Sequence, residues 1–343
     1  MRPWVLALAA AVAVALVMSG AAAPAEASAP GPAPALPALG PGETTLTYCH
    51  DGAVPETLDV DEPTPAPRSE VPAVVYVHGG GWVQGDARLT PGSLVAQVAA
   101  AVLARGWVFV SVDYRLAPRY RWPAQIDDAA CALRFLRAES SALHVDPRHI
   151  GAMGDSAGGQ MVSLLGLAGP SAGFGGGELP RFSSAVEAVA DLYGPADLTT
   201  ADWEQAPLIQ VYAPQAFGTR LGPAPPGSSV ARRLDAASPV RYVGPHAPPF
   251  VIVQGTDDTV VPPDQSLELA ARLRAAGDDP TVVMVHNAEH GLLPVAGGAE
   301  SPTLAQVAAD VGAFLVGRLQ PGVVASPAGR RSTGTRRARS RDR

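Results

Sequence analysis

Apolar, β-branched runs recur along the chain at intervals. They are AVVYVH (73–78), WVFVSVDY (107–114), HIGAMG (149–154), VEAVADLY (186–193), PFVIVQG (249–255) and TVVMVH (281–286). Each is short, continuous and bounded by turn residues, the pattern of a strand buried on both faces. Between them lie stretches of helical length and periodicity at 91–106, 123–140, 156–169, 263–277 and 302–319. Strands that alternate with helices predict βαβ units, hence a mostly parallel sheet with helices on both faces. Two insertions break the rhythm: a glycine-rich loop at 169–184 and a long segment at 195–248. Long excursions inside compact domains are usually functional, so 195–248 is expected to form a partial cap over a site.

The ends of the chain do not follow this pattern. Residues 1–27 read as a secretory leader, with Arg2, an apolar core WVLALAAAVAVALVM (4–18) and a small-residue cleavage site AEA (25–27). That core is shorter than the roughly 20 residues a membrane span requires, so no stable span is expected after cleavage. Residues 28–45 read as a Pro/Ala-rich linker, leaving 46–320 as the folded domain and 321–343 as a disordered basic tail. The formal charge is −7, but the stretch 329–343 alone carries seven arginines and one aspartate. The remainder is therefore strongly acidic, which argues against a nucleic-acid partner. The two cysteines, Cys49 and Cys131, can form a disulfide in an exported chain or stand as separate thiols. Neither has a metal-ligand neighbour, and neither a metal nor a cofactor is expected.

The candidate chemistry centres on GDSAG (154–158). A serine hydroxyl is a poor nucleophile at neutral pH. It needs a base, a carboxylate to orient that base, and donors for a developing oxyanion. Here Ser156 follows an apolar strand pattern and precedes a helical one, the context of a strained strand-to-helix elbow. Upstream, HGGGW (78–82) follows another strand and can present bare amides. The N–H groups of Gly80, Gly81 and Ala157 are the candidate oxyanion donors, while His78 and Asp155 are read as structural. Trp82 and the segment 195–248 are expected to shape a substrate pocket. Later strand ends offer Asp191, Asp257 or Asp258 as acid and His286 or His290 as base. His286 falls inside a strand pattern and reads as a core residue, whereas His290 sits in a loop before Gly291. Spacing alone does not choose between Asp257 and Asp258.

Taken together, VYVHGGGWVQGD (75–86), VSVDYRLAP (110–118), WPAQIDDAACALRFLR (122–137), DPRHIGAMGDSAGG (146–159), SPVRYV (238–243) and GTDDTVVP (255–262) resemble the α/β-hydrolase superfamily. More narrowly, the chain resembles the secreted carboxylesterase/lipase group related to hormone-sensitive lipase and to bacterial feruloyl-esterase-like proteins. The resemblance implies an α/β-hydrolase fold with a small partial cap and a serine esterase mechanism. Its G-T-x-D-x-x-V-P block places Asp258, not Asp257, at the acid position. It places Gln254 where a histidine is common, and it makes Asp113 and Arg115 structural ion-pair or hydrogen-bonding groups. Short acyl or aryl esters, free or on polysaccharides, are the substrates it suggests. A non-catalytic binding protein on the same fold, and a peptidase or acyltransferase using the same triad, are the alternatives.

Overall fold

The computed structural model describes residues 42–321 apart from 52, 53, 170, 171, 176 and 246. The expected leader, most of the linker and almost all of the basic tail lie outside these residues. One eight-stranded sheet runs through the described chain in the order β1-β2-β4-β3-β5-β6-β7-β8. The six predicted strands are present as β3 (Val71–Val77), β4 (Val108–Asp113), β5 (Val145–Asp155), β6 (Val189–Leu192), β7 (Phe250–Gly255) and β8 (Thr281–Val285). All six are mutually parallel. Helices α1 (Leu94–Ala104), α2 (Ala124–Ala138), α3 (Ala157–Leu167), α6 (Pro263–Ala276) and α7 (Leu304–Leu319) occupy the predicted helical stretches. A core containing Trp107, Phe109, Met153, Val253, Val311 and Leu315 fills the space between sheet and helices.

The sheet extends further than the apolar runs indicate. β1 (Gly42–Asp51) and β2 (Val54–Glu62) form an antiparallel hairpin, and β2 pairs antiparallel with β4. β1 therefore starts inside the stretch read as linker. These strands bury alternate apolar residues such as Leu46, Tyr48, Leu58 and Val60, and also the carboxylates of Glu56 and Glu62. Those acids have cationic or imidazole partners: Glu56 lies 3.1 Å from Arg115, and Glu62 lies 2.8 Å from His144. Arg115 also grips Asp128 of α2, with Nη2 at 2.5 Å, so the expected ion-pair role of Arg115 holds with partners other than Asp113.

A Cys49–Cys131 disulfide ties β1 to α2 across a sequence separation of 82 residues. Closing a loop that long removes substantial freedom from the unfolded chain. Replacing both cysteines by alanine is expected to lower unfolding stability by about 2–5 kcal/mol, read as a shifted denaturant midpoint.

Residues 195–248 fold into short elements: a 3-10 turn (Ala201–Gln205), α4 (Ile209–Phe217), α5 (Ser229–Ala236) and a second 3-10 turn (Pro239–Tyr242). Buried glutamines fasten them to the body of the domain. Gln265 of α6 accepts from the amides of Ala196 and Asp197, and Gln160 of α3 donates to the carbonyl of Ala237. Among the described residues no helix is long and apolar enough to cross a membrane.

Candidate active site

Because β3, β5, β7 and β8 are parallel, their carboxyl ends meet along one edge of the sheet, where open α/β folds bind ligands. The loop after β3 carries residues 78–82, and the turn after β5 carries Ser156. Asp258 follows β7, and His290 follows β8. The structure brings Ser156, His290 and Asp258 into one chain of hydrogen bonds. Nε2 of His290 lies 2.9 Å from the Ser156 hydroxyl, and Nδ1 lies 2.8 Å from Oδ2 of Asp258. An ionised carboxylate only accepts, so Nδ1 carries the proton and Nε2 faces the serine as an acceptor.

Ser156 sits at φ 52° and ψ −118°, in the left-handed half of backbone space that side chains avoid. Strain of this kind costs on the order of 1–3 kcal/mol and persists only where the surroundings enforce it. Here the Ser156 amide donates to the carbonyl of Leu192 at 2.8 Å, and the elbow packs tightly against β3. A Cβ on Gly158 would collide with the carbonyl oxygens of Val77 and His78, and one on Gly154 with that of Gly158. The two glycines flanking Ser156 are thus required by close backbone approach.

Asp258 is fully buried in its side chain and accepts from three further donors. Oδ1 takes the amides of Val260 and Val261, each at 2.8 Å, and Oδ2 takes Nε2 of Gln254 at 3.1 Å. Gln254 is itself buried, with its carbonyl accepting from Ser266. Gln254, which stands where the resemblance has a histidine, therefore braces the acid. Asp257 is exposed, and its carboxylate bonds only Thr256 among the described residues. Asp191 is buried elsewhere, accepting from Ser163 and the Gly194 amide; burial pushes its carboxyl up to about 6. Neither serves the histidine. His286 is exposed rather than in the core, because β8 is an edge strand and the residue falls just past its end.

The oxyanion candidates lie beside the elbow. Among the described residues, the amides of Gly80, Gly81 and Ala157 donate to no protein acceptor. The loop that carries the glycines is held by side chains. Asp155 accepts from the Tyr76 hydroxyl at 2.6 Å and the Gly79 amide at 2.8 Å, and Tyr114 donates to the carbonyls of His78 and Gly79. Asp155 is thus more than a turn residue: it ties the elbow to the glycine loop. His78 has the structural role expected, stacked on Tyr114 with ring centroids 4.0 Å apart and bonded to the Gly79 carbonyl. Burial lowers its pKa.

Trp82 differs from its expected place on a pocket wall. It is fully buried, donates to Gln160 at 2.9 Å and meets Phe217 of α4 edge-on. A second residue of α4, Tyr212, packs its ring on Gly81. Leu208 and Val211, beside Tyr212, and Leu293, three residues after His290, are exposed apolar side chains. A cleft of about 450 Å3 lies at the strand-start edge among Arg148, Glu187, Pro248 and Arg318, and includes no member of the serine relay. Among the described residues, one cluster of metal-type side chains, Cys49, Cys131 and Glu178, has both sulfurs committed to the disulfide.

Comparison with known proteins adds independent information. A match to the BD-FAE family runs over residues 58–273. Esterase LipC of Mycobacterium tuberculosis is 31% identical over 262 residues, covering 74% of this chain and 61% of LipC. Esterase LipI of the same organism is 31% identical over 251 residues, covering 68% of this chain and 70% of LipI. The chain spans about half the length of two other mycobacterial esterases that it matches, 48% and 47%. Among solved structures, the propionate-bound esterase Est2 of Thermogutta terrifontis is 26% identical with a TM-score of 0.63, covering 82% of this chain and 97% of Est2.

Proposed function

This chain belongs to the BD-FAE family and has the α/β-hydrolase fold, and from that premise we propose that it hydrolyses carboxylic esters through an acyl-enzyme on Ser156. The observation that carries the proposal is the unbroken Ser156–His290–Asp258 relay on a strained elbow. In the forward step His290 takes the hydroxyl proton as Ser156 Oγ bonds to the ester carbonyl carbon. Asp258 holds the imidazole in the required tautomer and stabilises its cationic form. The negative charge that develops on the carbonyl oxygen is received by the amides of Gly80, Gly81 and Ala157, which need no reorganisation. His290 returns the proton to the leaving alcohol, and water then repeats the sequence to release the acid.

Short acyl or aryl esters are the proposed substrates, including acetyl and feruloyl groups on polysaccharides. The exposed Leu208, Val211 and Leu293 favour a shallow apolar rim over a deep tunnel. The relative named as propionate-bound Est2 is in keeping with small acyl groups. Export through the leader at 1–27 is part of the same proposal, and the Cys49–Cys131 disulfide suits an oxidising compartment. A panel of p-nitrophenyl esters from two to sixteen carbons, with methyl ferulate, tests the reading. The highest kcat/KM is expected on the short or aryl esters, and absence of hydrolysis across the whole panel would reject it.

Gln254 yields a smaller, separate prediction. Gln254→Leu removes a donor from the buried Asp258 and orphans the Ser266 hydroxyl. Losing one hydrogen bond to a charged group costs about 1.5–3 kcal/mol, so kcat on a short ester is expected to fall about 10- to 100-fold. KM should stay nearly constant, because Gln254 lies behind the acid and away from substrate.

A further inference from the structure

The relay holds His290 by its two ring nitrogens, to Ser156 and to Asp258. Bonds at two vertices restrain the ring's tilt about the line joining them only weakly. The bond to Ser156 is also given up in each cycle, when Nε2 takes the proton and delivers it to the leaving alcohol. The imidazole therefore needs a neighbour that does not change during the reaction. Among the described residues, its one aromatic contact is Tyr193, with ring centroids 4.9 Å apart and planes at 69°, an edge-to-face pair.

Tyr193 is held there against its backbone preference. It directly follows β6 and has a φ of 46°, a left-handed conformation in which a bulky residue is an outlier. Glycine or asparagine would turn the chain more easily at this point. Such strain persists only where the surroundings fix it, and it gathers at functional sites. Here three hydrogen bonds fix the turn. The Tyr193 amide donates to the carbonyl of Val253 in β7 at 2.7 Å, and the Gly194 amide donates to Asp191 at 2.9 Å. The preceding carbonyl, that of Leu192, takes the Ser156 amide. One turn is thus bonded to the nucleophile and to the strand that leads to Asp258, while its side chain lies against the base.

The ring rather than the hydroxyl makes this contact. Tyr193 is buried in the same core as Ala288 and Leu292, which stand two residues either side of His290. Its hydroxyl bonds no other residue among the described ones. Burial, with the Asp155 and Asp258 carboxylates adding to it, pushes the phenol well above the ordinary tyrosine range, so it is neutral. What meets His290 is an uncharged ring in a fixed orientation. We propose that Tyr193 is a positioning residue of the serine relay, its ring the fixed surface that keeps His290 aligned while its proton partner changes. The proposal rests on the esterase reading for its kinetic readout, but its spectroscopic readout does not.

The test removes the ring and then returns it without the hydroxyl. Tyr193→Gly suits a φ of 46°, so the turn is kept while the ring is lost. On p-nitrophenyl butyrate, kcat per site titrated with a fluorophosphonate should fall about 10-fold, the upper end of what an aromatic pair contributes. KM should stay within about twofold, because acylation and deacylation both use His290. Tyr193→Phe should restore kcat to within about threefold of wild type. In proton NMR, the low-field Nδ1–H resonance of His290 should be present in wild type and Tyr193→Phe, and broadened or lost in Tyr193→Gly. If the glycine variant does not fold, Tyr193→Leu fills the core without a flat ring and is read in the same way. A purely structural role lowers the melting temperature and the number of titratable sites but leaves kcat per site unchanged, and that result would overturn the proposal. So would a loss carried by KM, a Tyr193→Phe protein as slow as Tyr193→Gly, or an Nδ1–H resonance absent from wild type or unaltered without the ring. If the wild type hydrolyses no ester, the esterase reading fails by itself and the resonance alone decides the role of Tyr193.

Discussion

Replacing Ser156 by alanine is expected to reduce ester hydrolysis by about 10^4- to 10^6-fold, the range seen when an acyl-enzyme nucleophile is removed. The loss should appear in kcat, because alanine keeps the backbone that builds the site. The Ser156 amide bond to Leu192 does not involve the hydroxyl, and alanine meets the same φ of 52° as serine. The variant should therefore unfold within about 1 kcal/mol of wild type, so that lost activity is not lost structure. The residual rate would report what the Gly80, Gly81 and Ala157 amides achieve without the nucleophile. Retention of full activity on p-nitrophenyl butyrate would exclude Ser156 as the attacking group.

The second large effect is expected from Asp258→Asn, and it follows from hydrogen-bond direction. Oδ1 of Asp258 accepts two backbone amides, from Val260 and Val261, which an asparagine carbonyl can continue to accept. The new NH2 group must then face Gln254 and Nδ1 of His290. A donor there requires Nδ1 to be the acceptor, which moves the ring proton to Nε2. Nε2–H then donates to Ser156 Oγ, leaving no lone pair on Nε2 to take the hydroxyl proton, and the base is lost. An exchange of this kind in a serine triad lowers kcat by about 10^4-fold. Asp257→Asn is the control: its side chain is exposed and serves only Thr256, so activity within about twofold of wild type is expected. The reverse ranking in a steady-state assay would show that the acid has been misassigned.

How legible these features are in the sequence depends on the range of the interaction that creates them. The parallel strands show because burial on both faces demands continuous apolar runs, as in AVVYVH and PFVIVQG. β1 and β2 do not show in that way. Their segments TLTYC and TLDVDE alternate, and β2 buries Glu56 and Glu62 whose partners Arg115 and His144 are remote in sequence. Ser156 and His290 are legible because each follows a recognisable strand, whereas Asp258 is separated from Asp257 only by the family resemblance. The groups that brace the relay are less so. Asp155 meets Gly79 across 76 positions, and no local pattern announces that contact. Gln254 stands beside the acid in sequence, but its value arises from a buried fork reaching Asp258, Val261 and Ser266 at once. Trp82 reads as a pocket residue by position, whereas packing against Phe217 and a bond to Gln160 take its ring out of reach.

The central claim, that the His290–Asp258 pair activates Ser156 for attack on an acyl carbon, is tested most directly by covalent trapping. The protein is incubated with a fluorophosphonate and the adduct located by peptide mass mapping. The account predicts one adduct per chain, on Ser156, formed slowly or not at all in His290→Ala and absent in Ser156→Ala. An adduct on another residue, or wild-type labelling no faster than that of His290→Ala, would contradict it.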